Sequence, residues 1–598
     1  MPPPTQTEDL AALRANWLSR WETALAAWSR FTKLAEPRWC LTADDEEREK
    51  LRGSFAMIRL VDHAVVISLC QIRDLRLQAF ATEILAHEVG HHVLAPGDLR
   101  DDARLLARIR AGLPTREQYA GLAANLYADL LINDRLQRSA TLDMGGVYRA
   151  LRRDKEQVSD VWRLYMRIYE ILWGLQSGTL IPHIASGSLQ GDAVLGAKIV
   201  RVYARDWLKG AGRFAALLLP YLLEFPEQKT LAAVFASIRD TEQAGDGADI
   251  PDGLVEIEEG ETDVVHPSED EAITGESPDG KKKGKSAPRG GGREQVGGHK
   301  NPVRSPTEYV DLMKGIGVRV PEKDLLIRYY RELAIPYLIR FPRRISEEAT
   351  DPHPEGVDAW DTGEPVTEID WTETLARGPY VIPGVTTVKR LYGASPGTSP
   401  ERVPLDLYIG IDCSGSMGNP AYQMSYPVLA ATVITVSALR AGARIMACLS
   451  GEEPGEFCET EGFRHSEKEI LNILTNYLGT GYSFGIQRLK TAFLDKPPPS
   501  RPVHILVVSD SDMFRMLGGH REGWSIAQEA VRRAGGGGTF VLQVDPASAA
   551  KYIGRMKDIG WDVYTVRNQA ELVAFARGFS RAHYERIQAG AAPRRKAQ

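Results

Sequence analysis

From residue 404 onward the 598-residue chain alternates short apolar runs with amphipathic ones. This alternation limits the possible fold more than any other feature. The apolar runs at 405–411, 444–449, 503–508, 539–544 and 561–566 read as strands. The runs at 422–439, 526–533 and 570–583 read as helices, with one more opening at the capping box Ser466-Glu467-Lys468-Glu469. Strands that alternate with helices predict an α/β domain, a doubly wound, Rossmann-like parallel sheet with helices on both faces. A ligand site in such a sheet is expected at the carboxyl ends of the strands.

Residues 8–240 carry a different pattern. Amphipathic segments separated by Gly and Pro predict a mostly α domain. Within it stands Ala86-His87-Glu88-Val89-Gly90-His91-His92. Leu77, Phe80, Ile84, Leu85 and Val89 recur at helical spacing, and Pro96-Gly97 stops the helix. On a helix His87 and His91 share one face, one turn apart. Two imidazoles so placed can bind one metal ion, with Glu88 beside them to act on a water. His92 adjoins a ligand position but points off that face.

A second helix is expected after Pro114, opened by a capping box of Thr115 and Gln118. On it Asn125, Asp129 and Asn133 are spaced by four, a polar stripe in an otherwise apolar helix. Buried polar groups need partners, and a metal suits Asp129 as third ligand. Asp134 stands close enough in sequence to take its place.

The first strand of the α/β region ends in Asp412-Cys413-Ser414-Gly415-Ser416. One carboxylate and two hydroxyls on a tight loop are hard oxygens, suited to Mg²⁺, Mn²⁺ or Ca²⁺ rather than to a soft metal.

Three resemblances follow from these motifs. H-E-x-x-H resembles the zinc site of metallopeptidases. D-x-S-x-S resembles the metal-ion-dependent adhesion site of von Willebrand factor A (VWA) domains, over about residues 404–590. That family adds a Thr on a Gly-containing loop and an Asp after a later central strand. Gly479-Thr480-Gly481 offers Thr480, with Ser483 as a competing hydroxyl, and Asp510 follows the run 503–509. H-E-x-x-H, then Asn125, Asp129, Ile132 and Asn133, then the VWA-like region, is similar to a family of bacterial metallopeptidase proteins. Their helical zincin-like domain is N-terminal and their VWA-like domain C-terminal. The resemblance implies Zn²⁺ on His87, His91 and Asp129 with Glu88 as the catalytic base. It also implies Mg²⁺ or Mn²⁺ on Asp412, Ser414, Ser416, Thr480 and Asp510. VWA domains of this kind resemble partners of MoxR-type AAA+ ATPases, which implies a protein partner. The alternative is a non-catalytic VWA adaptor or chaperone subunit of such an ATPase, or of a chelatase-like complex.

Between the two regions, residues 240–280 carry many Asp and Glu and no Lys or Arg. Lys281-Lys282-Lys283-Gly284-Lys285 and runs of Gly follow. Blocked charge and low hydrophobicity predict a disordered linker. The expected organisation is a metallopeptidase-like domain at 1–240, a linker at 241–306, a helical and irregular connector at 307–403, the VWA-like domain at 404–590 and a tail at 591–598. The formal charge of −6 argues against nucleic acid as a partner. Five cysteines without a C-x-x-C pair suit a reduced compartment. Neither a signal peptide nor a run apolar enough to span a bilayer is visible, so the expectation is a cytoplasmic protein with no membrane partner.

Overall fold

The computed structural model describes residues 6–579 apart from 52, 152–158, 183–186, 224–240, 243–249, 276–301, 342, 346–349, 397–401, 451–457, 480–484, 520–521, 569–570, 573 and 576–577. The chain divides into two compact units, residues 1–333 with 421–424, and residues 334–420 with 425–598. No helix among the described residues is long and apolar enough to cross a membrane.

The first unit is helical around a small sheet that the sequence reading of 8–240 missed. Its strands are β1 (Arg38–Cys40), β2 (Ala56–Arg59), β3 (Ala64–Ser68) and β4 (Thr241–Glu242), in the order β1-β3-β2-β4. Only β2 and β3 pair antiparallel. Runs of two to five residues are too short for periodicity to separate strand from helix. The helices that matter here are α1 (Ala81–Val93), α2 (Leu99–Ala111), α3 (Ala120–Ser139), α4 (Met144–Leu151) and α5 (Asp160–Leu172). Ile84, Leu85 and Val89 of α1 enter a core with Trp17, Trp21, Ile58, Ile67, Ile132 and Leu136. Each such side chain contributes about 1.5–3 kcal/mol by leaving water.

α1 and α3 cross tightly at Gly90. A Cβ there would lie 2.6 Å from Ile132 Cγ2 and 2.6 Å from Trp28 Cζ2. The absence of a side chain at Gly90 therefore lets α3 approach the face of α1 that bears the histidines. Trp28 also donates its indole N–H to the Ala86 carbonyl at 2.7 Å, fixing α1 one residue before the motif.

The start of α3 differs from expectation. Thr115 takes a left-handed φ of 66° and its amide bonds Glu117 Oε1, so no capping box forms with Gln118. A single 3₁₀ turn, Glu117–Tyr119, leads into α3 instead.

The stretch expected to be a disordered linker is ordered over 250–275 and 302–306, within the first unit. Leu254, Val255 and Ile257 are buried, and Arg304 grips Glu261 through two contacts of 2.5 and 2.6 Å. Arg104 and Arg108 of α2 both reach Glu258 at 2.7 Å. These acids find their cations more than forty residues away, which local charge pattern cannot reveal. The Lys281–Lys285 cluster lies outside the described residues. Helices α6 (Pro306–Gly315) and α7 (Glu322–Ala334) also fall mainly in this unit, so the expected connector 307–403 is shared between the two.

The second unit holds a five-stranded parallel sheet. Its strands are β5 (Asp406–Asp412), β6 (Ile445–Ser450), β7 (Val503–Ser509), β8 (Gly535–Leu542) and β9 (Trp561–Thr565), in the order β6-β5-β7-β8-β9. β5 and β7 are buried along their whole length. The chain runs from β5 to β6 in one direction across the sheet, then to β7, β8 and β9 in the other. Right-handed crossovers place helices on opposite faces after such a reversal. Tyr408, Ile505, Val507 and Phe540 pack with Ile526, Ala527 and Ala530 of α8 (Gly523–Ala534). β8 begins four residues earlier than expected because its glycines lie flat on the neighbouring strand; a Cβ on Gly536 would sit 2.4 Å from the Val503 backbone. The expected closing helix lies largely, and the tail wholly, outside the described residues.

Candidate metal centre

α1 carries His87, Glu88 and His91, all buried, and its two histidines approach Asp129 of α3. The side chains of His87, His91 and Asp129 can hold a metal ion, since their ligand atoms all lie within 4.8 Å of one another. Asp129 Oδ1 stands 3.8 Å from His87 Nε2 and 3.5 Å from His91 Nε2. A tetrahedral ion with bonds of about 2.0–2.1 Å sets its ligands roughly 3.3 Å apart, so the spacing fits.

The other atom of each group is already engaged. His91 Nδ1 lies 2.9 Å from the Ala95 carbonyl, which can only accept, so Nδ1 carries the proton. The turn at Pro96-Gly97 that ends α1 thus also supplies the His91 partner. His87 Nδ1 lies 2.7 Å from Asn133 Oδ1. Asn133 is oriented by its amide N–H groups, which donate to Tyr169 at 2.8 Å and Tyr148 at 3.0 Å. Its oxygen therefore faces His87 and accepts. In their neutral forms both imidazoles direct an Nε2 lone pair at Asp129 Oδ1.

Asp129 is held in the same way. Its Oδ2 accepts from Asn125 Nδ2 at 3.1 Å and from the Tyr165 hydroxyl at 3.4 Å. Tyr148 donates to Tyr169 at 3.2 Å, and the Tyr165 and Tyr169 hydroxyls lie 2.9 Å apart. With Tyr165 donating to Asp129, the chain of hydroxyls runs from Tyr148 to the carboxylate. Burial pushes the Tyr165 and Tyr169 hydroxyls well above their ordinary range, so they stay neutral donors. The sequence reading found Asn125 and Asn133 but not this tyrosine network. Its only trace there is Tyr165 and Tyr169, four apart on α5.

Asp134 is not part of the centre. Its carboxylate pairs with Arg138 at 2.8 Å and Arg201 at 3.2 Å. His92 faces His63, with the two Nδ1 atoms 3.1 Å apart. Burial and the neighbouring His63 hold its pKa below the ordinary histidine value.

In the second unit Asp412 ends β5, Ser509 ends β7 and Asp510 follows it directly. These strands flank the point where the sheet order reverses, the ligand position of doubly wound sheets. Ser509 Oγ donates to Asp412 Oδ2 at 2.7 Å, and the Ser414 amide donates to Asp412 Oδ1 at 2.8 Å. Ser414 Oγ and Ser416 Oγ are 3.0 Å apart. Burial pushes the Asp412 carboxyl up to about 7 against its hydrogen bonds from Ser414 and Ser509, with the Asp510 charge adding to the rise. Ser509 was missed in the sequence, where it reads as the last residue of a strand. Gly479 donates its amide to the Cys413 carbonyl at 3.0 Å, bringing that loop to the cluster. Thr480 and Ser483 lie outside the described residues.

No family model, curated protein or solved structure matches the chain.

Proposed function

We propose that the first unit is a zinc-dependent peptidase of the zincin type. The observation that carries this reading is the convergence of two Nε2 atoms and Asp129 Oδ1, each held from behind by its own hydrogen bonds. Two histidines and one carboxylate match the three-ligand set of catalytic zinc sites, which keep a fourth position open. Zinc held by His87, His91 and Asp129 would polarise a peptide carbonyl and lower the pKa of a water at its fourth position. Glu88 takes the proton of the attacking water and returns it to the departing amine as the C–N bond breaks. Asn133 and Ala95 keep the imidazoles in the ligand tautomer throughout.

The test uses the full chain and its Glu88→Gln variant. Metal analysis is expected to find about one Zn²⁺ in each, released by chelation. Hydrolysis of a quenched fluorescent peptide library is expected to fall about 10²- to 10⁴-fold in the variant. Absence of bound transition metal, or equal hydrolysis by both forms, removes the peptidase reading.

A second reading concerns the second unit and rests on Asp412, Ser414, Ser509 and Asp510 at the sheet reversal. In this reading the unit is VWA-like and docks a protein, such as a MoxR-type AAA+ ATPase, through Mg²⁺ or Mn²⁺. Ser416 belongs to the same ligand set. A partner that binds with Mg²⁺, leaves with EDTA and ignores Asp412→Ala bait supports it. A chain that lacks hydrolysis but keeps this binding is an adaptor alone.

A further inference from the structure

The second unit carries an antiparallel ribbon separate from its parallel sheet. Its two strands, Thr350–Ala359 and Val388–Pro396, pair from Thr350↔Pro396 to Ala359↔Val388. At about 3.4 Å per residue the ribbon is roughly 30 Å long, and residues 353–359 are all exposed.

Its tip, residues 360–387, is a folded head. Trp360, Ile369, Thr374 and Thr387 are buried in it. The Trp360 indole donates to the Pro365 carbonyl at 3.0 Å, and Thr387 Oγ1 donates to the Trp360 carbonyl at 2.7 Å. Thr386 Oγ1 donates to the Tyr380 carbonyl at 2.7 Å and accepts from the Ile382 amide at 2.8 Å. Asp370 caps the short helix Trp371–Arg377 by accepting from the Thr372 and Glu373 amides.

This ordered head presents apolar side chains outward. Trp371, Leu375, Tyr380, Val381, Ile382 and Val385 fall within fifteen residues, and all are exposed, Tyr380 at 74% and Val385 at 68%. Exposed apolar side chains gathered on one small head are the kind of surface that marks an interaction site. Exposed apolar groups on a head already fixed by hydrogen bonds lose little entropy on binding.

Charge selects the occupant. Between 350 and 396 eight Asp and Glu stand against three Lys and Arg, leaving −5. Lys389 is paired with Glu364 and Arg390 with Asp370. Glu368 and Glu373 are exposed on the head beside the exposed Arg377, and Glu355 and Asp358 are exposed on the ribbon that carries it. A second copy would bring the same acidic rim, and anionic lipid would be repelled. We propose that this head docks a protein partner presenting an apolar pocket ringed by lysine and arginine. The docking uses no divalent ion and is independent of the peptidase and VWA readings.

The experiment immobilises the full chain as wild type, as Trp371→Ser/Tyr380→Ser/Val385→Ser, as Tyr380→Ser alone, and as Glu355→Lys/Glu368→Lys. Proteins retained from an extract of the source cells in EDTA are identified, and one retained by wild type but not by the triple variant is purified. Its titration against each form is the deciding measurement. The expected result is a Kd raised at least tenfold by the triple variant and severalfold by Tyr380→Ser. Glu355→Lys/Glu368→Lys should weaken binding and flatten its salt dependence. Circular dichroism checks that the triple variant is folded, and Tyr380→Ser decides if it is not. The proposal is overturned if all forms retain the same proteins, or if the charge reversal leaves binding and its salt dependence unchanged. It is equally overturned if wild type sediments as a dimer that the tip substitutions dissociate, or if the head binds phosphatidylcholine vesicles instead.

Discussion

His87 Nδ1 and Asn133 Oδ1 meet at 2.7 Å across the crossing of α1 and α3. This bond ties a metal-ligand candidate on one helix to the helix that supplies Asp129, one turn away from Asn133. Asn133→Ala removes the acceptor, frees His87 to take the other tautomer, and takes one hydrogen bond from each of the Tyr148 and Tyr169 hydroxyls. Metal affinity is expected to fall about 10- to 100-fold. Competition with a chromogenic chelator measures it. Unchanged affinity would show that Asn133 serves packing alone.

Asp129 and Asp134 separate the two candidates for third ligand. Asp129→Ala is expected to abolish stoichiometric metal binding, because its Oδ1 lies close to the Nε2 atoms of both imidazoles. Asp134→Ala should leave metal content unchanged. It should instead destabilise the unit by roughly 1–3 kcal/mol, since it breaks the contacts to Arg138 and Arg201. Metal analysis and denaturant unfolding of the two variants give opposite patterns if the assignment is right.

Gly90 tests how the helices are brought together. A methyl group at this position meets Ile132 and Trp28 at 2.6 Å. Gly90→Ala is expected to cost about 1–3 kcal/mol by overpacking and to weaken metal binding by moving α3 away. Ile132→Ala in the same chain makes room and should recover part of the metal affinity. A Gly90→Ala chain with unaltered stability and affinity would show that the crossing can relax without moving the site.

What was legible in the sequence had local spacing. His87 and His91 share a helix face by arithmetic, and so do Asn125, Asp129 and Asn133. The strand–helix alternation after 404 likewise depends only on neighbours. What was not legible depends on distant residues. The acids at Glu258 and Glu261 look like linker until Arg104, Arg108 and Arg304 are brought to them. Ser509 looks like the end of a strand until parallel pairing sets β7 beside β5. Nothing local to Tyr148, Tyr165 and Tyr169 says that their hydroxyls lead to Asp129.

The Asp412 carboxyl gives a pH dependence with a definite sign. In the unfolded chain it ionises at about 3.9, whereas in the folded chain burial and Asp510 raise it to about 7. Below pH 4 both states hold the proton, and the folded state keeps its full stability. Between about 4 and 7 the unfolded state has lost the proton while the folded state retains it, so stability falls as pH rises. The loss is on the order of 4 kcal/mol and ends above pH 7, where both states are ionised. Asp412→Asn carries no charge to bury and should lack this term. The measurement is denaturant unfolding of wild type and Asp412→Asn in EDTA at pH 5 and pH 8. The variant is expected to gain on wild type as pH rises. Mg²⁺ at pH 8 should restore wild type alone, because a cation between Asp412 and Asp510 favours the ionised form. Parallel pH dependence in the two chains would mean that Asp412 is ionised in the folded state without a metal.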